Sequence, residues 1–255
     1  HPNQYAAIAG ILTALAAYWL GCELITKEEE RKKKENGASS FFLFSSSLIP
    51  LLAALYVATS YWHVHFSRFG IRGVFTPLCG ALAFAAFWRA VNRRSVGWFP
   101  VAGFWLGLAL HFYTASRFFP FFLAGFLLVE WLVARLTRRP ALLPQHWRGI
   151  LVLYVVAALV FAPLGLYFVQ HPGSFAQRAS AVTALGAESP LARMARAAVA
   201  NVLQFFLPGG GDQEQFYNLP GRAVFDPVTA LLALVGLGVL LWRWRSGPTR
   251  SFWTS

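Results

Sequence analysis

The sequence predicts an all-α protein: a polytopic bundle of about seven transmembrane helices, with an interfacial amphipathic helix on its outer face. Three observations lead there. Hydrophobic residues make up 57% of the 255, and the mean hydropathy is +0.51. Charged residues are only 13% of the chain, against roughly 25% in ordinary globular domains. Apolar runs recur near the ~20-residue length that a bilayer span needs, with basic segments between them. Aromatic residues reach 16%, with 24 Phe and 10 Trp, which suits lipid-facing surfaces and interfacial belts.

The expected spans are, in order, Tyr5–Ile25, Phe41–Tyr61, Val74–Trp88, Trp98–Ala115, Phe118–Leu136, Gly149–Val169 and Pro227–Trp244. The third and fourth are short enough to be tilted or partly re-entrant. Residues 1–169 thus form a bundle of about six spans. Within it, the mixed-charge run 26–40 reads as a mobile cytoplasmic hairpin. Residues 170–226 form an extracytoplasmic loop, in which 190–206 reads as an amphipathic helix. Residues 227–255 supply the last span and a basic cytoplasmic tail.

Charge distribution orients the bundle. The formal net charge is +12. Fifteen of the 22 Lys and Arg fall in loops 26–40, 89–97 and 135–148 and in the C-terminal tail. The alternate loops hold the other seven, Arg68, Arg72, Arg117, Arg178, Arg193, Arg196 and Arg222. Positive residues favour the cytoplasmic side, so the N-terminus is expected outside. This alternation between apolar runs argues against nucleic acid as the reason for the charge. The chain opens at His1 and enters an apolar run without a basic n-region. That is unlike a signal peptide, and the chain is expected to continue a longer protein. Cys22 and Cys79 lie inside apolar runs and show neither a disulfide framework nor metal-ligand spacing. No metal or cofactor is expected.

Polar chemistry concentrates on the outer face. Ser60–Arg72, SYWHVHFSRFGIR, sets His63, His65, Arg68 and Arg72 between two apolar runs, where ionisable groups are costly and usually functional. Arg68 and Arg72 are four apart, so a helix would place both on one face, fit to grip a phosphate. The two histidines are two apart and fall on different sides of a helix. The same residues also suit an interfacial belt contacting lipid headgroups.

His111–Pro120, HFYTASRFFP, joins two spans with almost no loop. Ser116 is expected to cap the next helix, with Pro120 in its first turn. Arg117 would then sit at a helix N-terminus, where unpaired amides attract anions. It could equally snorkel to headgroups. Glu188 also falls on the outer side, and in the long outer loop Asp212 and Glu214 read as solvated acids. Arg222 could hold a phosphate or serve a turn, and Asp226 reads as an N-cap for the last span. No P-loop, HExxH, dinucleotide fingerprint or Ser-His-Asp arrangement occurs.

Three stretches together resemble a family. WHVHFSRFGIRGVFTPL at 62–78, GFWLGLALHFYTASRFFP at 103–120 and NLPGRAVFDPVTALLALVGL at 218–237 resemble membrane glycosyltransferases of the C-type fold. They look closest to the family 39-like group, the bacterial relatives of protein O-mannosyltransferases and of the lipid A aminoarabinose transferase. The resemblance covers most of residues 1–245. It implies transfer of a sugar from a polyprenyl-phosphate carrier to a lipid, glycan or protein acceptor on the extracytoplasmic face of a bacterial plasma membrane. By this analogy Arg68, Arg72, Arg117 and Arg222 contact the carrier phosphate, and His63, His65 and Tyr113 line the sugar or acceptor cavity. The family's Asp-Glu motif has no counterpart here, so no residue is assigned as the catalytic base. Two other readings stand beside this one: a transporter or flippase for lipid-linked sugars, and a non-catalytic membrane relative.

Overall fold

The computed structural model describes residues 2–36, 40–138, 140–171, 173, 189–209 and 221–246. The regular elements among them are all helical. The chain divides into two compact units, His1–Tyr167 and Phe168–Arg250, taken separately below.

The first unit holds α1 (Pro2–Asn36), α2 (Ser40–Thr59), α3 (Tyr61–Phe69), α4 (Phe75–Arg93), α5 (Trp98–Phe112), α6 (Phe119–Leu136) and α7 (Leu142–Gln170). Short 3-10 turns at Arg72–Val74 and Thr114–Phe118 lead into α4 and α6. Four stretches are long and apolar enough to cross a membrane: Asn3–Ile25, Arg72–Arg93, Thr114–Leu136 and Leu142–Gln170. The apolar parts of α2 (Leu48–Thr59) and α5 are shorter. The third expected span, read as short from Val74–Trp88, thus reaches 22 residues with its 3-10 turn. The fourth ends at Phe112, not Ala115.

The expected hairpin 26–40 is instead helical through Asn36, and residues 37–39 lie outside the described residues. The reason is legible in hindsight. Glu28, Glu29 and Glu30 precede Lys32, Lys33 and Lys34 by four residues, the favourable order for helical ion-pair spacing.

Small residues set the packing. Ala6, Ala9 and Ala16 of α1 are buried against Val74 and Leu78, so α1 and α4 run side by side in the same direction. Gly21 meets Pro50, and α2 returns antiparallel to α1. The helix breaks at Ser60, whose ψ is 127°. Thr59 Oγ1 donates back to Leu55 O at 2.8 Å, a bond that tends to bend helices. α3 then continues along α1, with Ser67 and His63 over Gly10 and Gly70 beside Asn3.

α5 and α7 cross closely in parallel. A Cβ on Gly103 would strike the Leu153 carbonyl, and one on Gly107 would lie 2.6 Å from the Ala157 carbonyl. This is a Gly-x-x-x-Gly seam, which lets two backbones approach. His111 continues the stripe, its Nε2 2.9 Å from Val160 O. Pro163, inside α7, offers no N–H to the helix ladder. Phe87, Phe99, Leu106, Leu123, Leu127 and Leu153 fill the core between α4, α5, α6 and α7.

The second unit holds α8 (Pro190–Leu203) and α9 (Pro227–Ser246). The helix expected over 190–206 stops at Leu203, and turns follow. Val224 N–H donates to Gln204 O at 2.9 Å and Phe225 N–H to Phe205 O at 3.0 Å, so the chain comes back along its own turn. Asp226 caps α9 as expected, with Oδ1 accepting from Val228 N at 3.0 Å and Thr229 N at 3.1 Å. Arg178, Glu188, Asp212, Glu214 and the tail beyond Ser246 lie outside the described residues.

Candidate functional site

The expected site residues of the first unit gather at the end where α1 begins. Gly73 approaches the Tyr113 ring, and Phe75 stacks on Phe112 with centroids 4.7 Å apart. The start of α4 therefore abuts the α5–α6 turn. Arg72, Tyr113 and Arg117 come to one end in this way, and α3 brings His63, His65 and Arg68 to the same end.

The arginines are not arranged as the spacing predicted. α3 ends at Phe69 because Gly70 adopts φ 70°, a left-handed conformation that glycine tolerates. Ile71 is extended, and Arg72 begins a 3-10 turn. Arg68 and Arg72 therefore do not share a helical face. Both are exposed, on either side of a sharp turn.

The histidines separate, as their spacing predicted. His63 Nε2 lies 2.9 Å from Gly10 O, and Ser67 Oγ donates to His63 O at 2.6 Å. His63 thus ties α3 to α1. His65 stacks on Tyr61 with centroids 5.6 Å apart and packs at 5.2 Å against Phe69.

Ser116 does not cap α6. It is fully buried, and its Oγ donates back to Ala109 O at 2.6 Å and to Tyr113 O. No side-chain cap serves the α6 N-terminus, whose cap position is Phe118. The serine instead fastens the turn to the helix before it. That fixes Tyr113, exposed and extended, and the half-buried Arg117 that follows. Arg222 is exposed in the second unit.

Two features distinguish this end. The sequence holds no Asp or Glu between Glu35 and Glu130, so α3, α4, α5 and their turns carry arginine with no carboxylate of their own. In addition, Trp62 Nε1 and Thr76 Oγ1 are buried without a hydrogen-bond partner among the described residues. Such groups normally find a protein, water or ligand partner. Among the described residues, no three His, Cys, Asp or Glu come together as a metal site would require.

The opposite end holds a polar cluster that the sequence reading did not single out. Glu23, 7% exposed, accepts from Arg89 Nη1 at 2.8 Å and from Trp19 Nε1 at 3.1 Å. Asn92 Nδ2 donates to the Glu23 carbonyl at 2.6 Å. The Arg89 guanidinium lies 4.7 Å from the Trp98 ring centroid. The available signal was Trp19 four residues before Glu23 in an otherwise apolar run, which puts both on one helical face.

Comparisons with protein-family models, with curated proteins and with solved structures find no match to this chain.

Proposed function

We propose that the protein is a multi-pass membrane glycosyltransferase of the C-type fold, taking a sugar from a polyprenyl-phosphate carrier to an acceptor on the extracytoplasmic face. The observation that carries this reading is the acid-free, arginine-bearing end of the first unit, with two buried polar atoms awaiting partners. In this reading α1, α2 with α3, α4, α5, α6, α7 and α9 make seven spans in a bacterial plasma membrane. α8 lies in the outer interface plane.

The chemistry follows from the charges. The acceptor hydroxyl attacks the anomeric carbon, and the bond from that carbon to the phosphate oxygen breaks. The carrier phosphate leaves with the electron pair. Arg68, Arg72 and Arg117 neutralise it. His65 and Tyr113 border the sugar, while His63 holds α3 in place. Preorganised donors of this kind are worth about 10²–10³ in rate each. The base that takes the acceptor's proton is assigned to no residue of this chain.

The test is transfer from a polyprenyl-phosphate sugar in membranes carrying the protein. Arg117→Ala should lower turnover by about 10²-fold or more while insertion is unchanged. Undiminished transfer by that variant would refute the assignment. Movement of the lipid-linked sugar across proteoliposomes without glycosylated product would favour a transporter.

A further inference from the structure

The end of the first unit opposite the candidate site carries its own ligand chemistry. Arg94 follows α4, Arg135 and Arg138 close α6, and Arg148 lies just past the bend at His146, where α7 departs from helical geometry with φ −121° and ψ 17°. All four arginines are exposed. Phe99, at the start of α5, packs against His146 and against Gly149, so the α4–α5 and α6–α7 turns are neighbours.

Three independent facts point to a phosphate-bearing amphiphile here. First, the two acids buried near these turns are already engaged, Glu23 by Arg89 and Glu130 by the Leu142 N–H at 2.9 Å, while Glu28, Glu29, Glu30 and Glu35 of α1 are outnumbered by Lys27, Arg31, Lys32, Lys33 and Lys34 on the same stretch. Second, the arginines come with indoles. Arg135 lies 4.6 Å from the Trp131 ring centroid and Arg148 lies 5.3 Å from that of Trp147. Trp and Arg together are the pairing found at the headgroup level of bilayers. Third, among the described residues the two non-glycine residues with positive φ are both arginines, Arg94 at 49° and Arg138 at 53°. Glycine would fill such a helix-terminal position without strain. Arginine there spends conformational energy to keep a guanidinium at the turn.

We propose that this end of the first unit seats the headgroups of acidic phospholipids, with Arg94, Arg135, Arg138 and Arg148 on the phosphodiester and Trp131 and Trp147 at the glycerol level. Basic pockets between helices on the cytoplasmic side are known to hold anionic headgroups. The proposal needs the chain to lie in a bilayer but does not depend on the transferase reading.

The experiment is native mass spectrometry of the detergent-solubilised protein, titrated with dioleoyl phosphatidylglycerol or dioleoyl phosphatidylcholine. The wild type should retain phosphatidylglycerol preferentially. Arg135→Gln/Arg138→Gln/Arg148→Gln should lose about fivefold of that preference per arginine. The triple Lys variant should keep most of it, which separates charge from misfolding. Arg196→Gln, on α8, should leave it unchanged. Equal retention of both lipids by the wild type would overturn the proposal. So would full preference in the triple Gln variant, or loss of preference in the Arg196 variant alone.

Discussion

Arg89 Nη1 lies 2.8 Å from Glu23 Oε1, an ion pair that joins α4 to α1 within apolar surroundings. Trp19 donates to the same carboxylate, Asn92 Nδ2 reaches its Oε2 at 3.4 Å and the Glu23 backbone carbonyl at 2.6 Å, and Trp98 covers the guanidinium. A buried pair is costly to break, because removing one partner leaves the other charge unmatched.

Glu23→Gln should therefore destabilise the protein by about 3 kcal/mol, near the low end for buried pairs since Arg89 is a quarter exposed. The double variant Glu23→Leu/Arg89→Met should recover most of that loss. Equilibrium unfolding in detergent measures both. Equal damage from the single and double variants would mean that the pair is not the coupling element.

The α5–α7 seam makes a sharper comparison. A Cβ at Gly107 would lie 2.6 Å from the Ala157 carbonyl, whereas Gly125 on α6 has nothing within 4 Å. Gly107→Ala should cost about 1–3 kcal/mol by overpacking. Gly125→Ala should be neutral or gain a few tenths of a kcal/mol from helix propensity, within a scale of about 1 kcal/mol. Thermal midpoints of the two variants decide it.

Ser116 links structure to the candidate site. Ser116→Ala removes the back-bonds to Ala109 of α5 and to Tyr113 of the turn and should cost about 1 kcal/mol. Its larger expected effect is on Arg117, which loses its fixed turn. Turnover should fall several-fold with little change in expression, read in the same transfer assay.

Asp226 supplies a pH dependence. Hydrogen bonds from the Thr229 hydroxyl and amide hold its carboxyl below the usual range, with a smaller contribution from the Val228 amide. A lowered folded value means that the cap stabilises α9 fully above the unfolded carboxyl value of about 3.9. That stabilisation disappears as pH falls through the lower folded value. Amide exchange at Val228 and Thr229 should speed up in that acid window for the wild type, and Asp226→Asn should show no such step.

Much of the architecture was readable because hydropathy reports span positions directly. Asp226 was readable too, since Asp before Pro is a local signal whose outcome depends on three neighbouring residues. The errors share a different cause. The Arg68–Arg72 face rested on spacing alone, and Gly70 between them breaks the helix that spacing presumes. Ser116 had two possible partners, the helix ahead and the helix behind, and burial against Ala109 decided for the latter. The run 26–40 looked like loop by polarity, while its Glu-to-Lys spacing was helical. The Glu23–Arg89 pair brings together residues 66 apart, which no local pattern reveals.

α5 has 15 residues, so it is about 22 Å long, against a bilayer hydrocarbon core of about 30 Å. It is packed along the 29-residue α7 and cannot slide or tilt freely to make up the difference. In the proposed seven-span reading, the lipid makes up the shortfall and one leaflet dips toward the Tyr113–Arg117 turn. Such a thinned collar would shorten the climb of the proposed carrier's charged head from the acyl region to its counter-charges. On that reading, transfer should rise in thin bilayers and fall in thick ones, with the length of a single helix acting as the gauge.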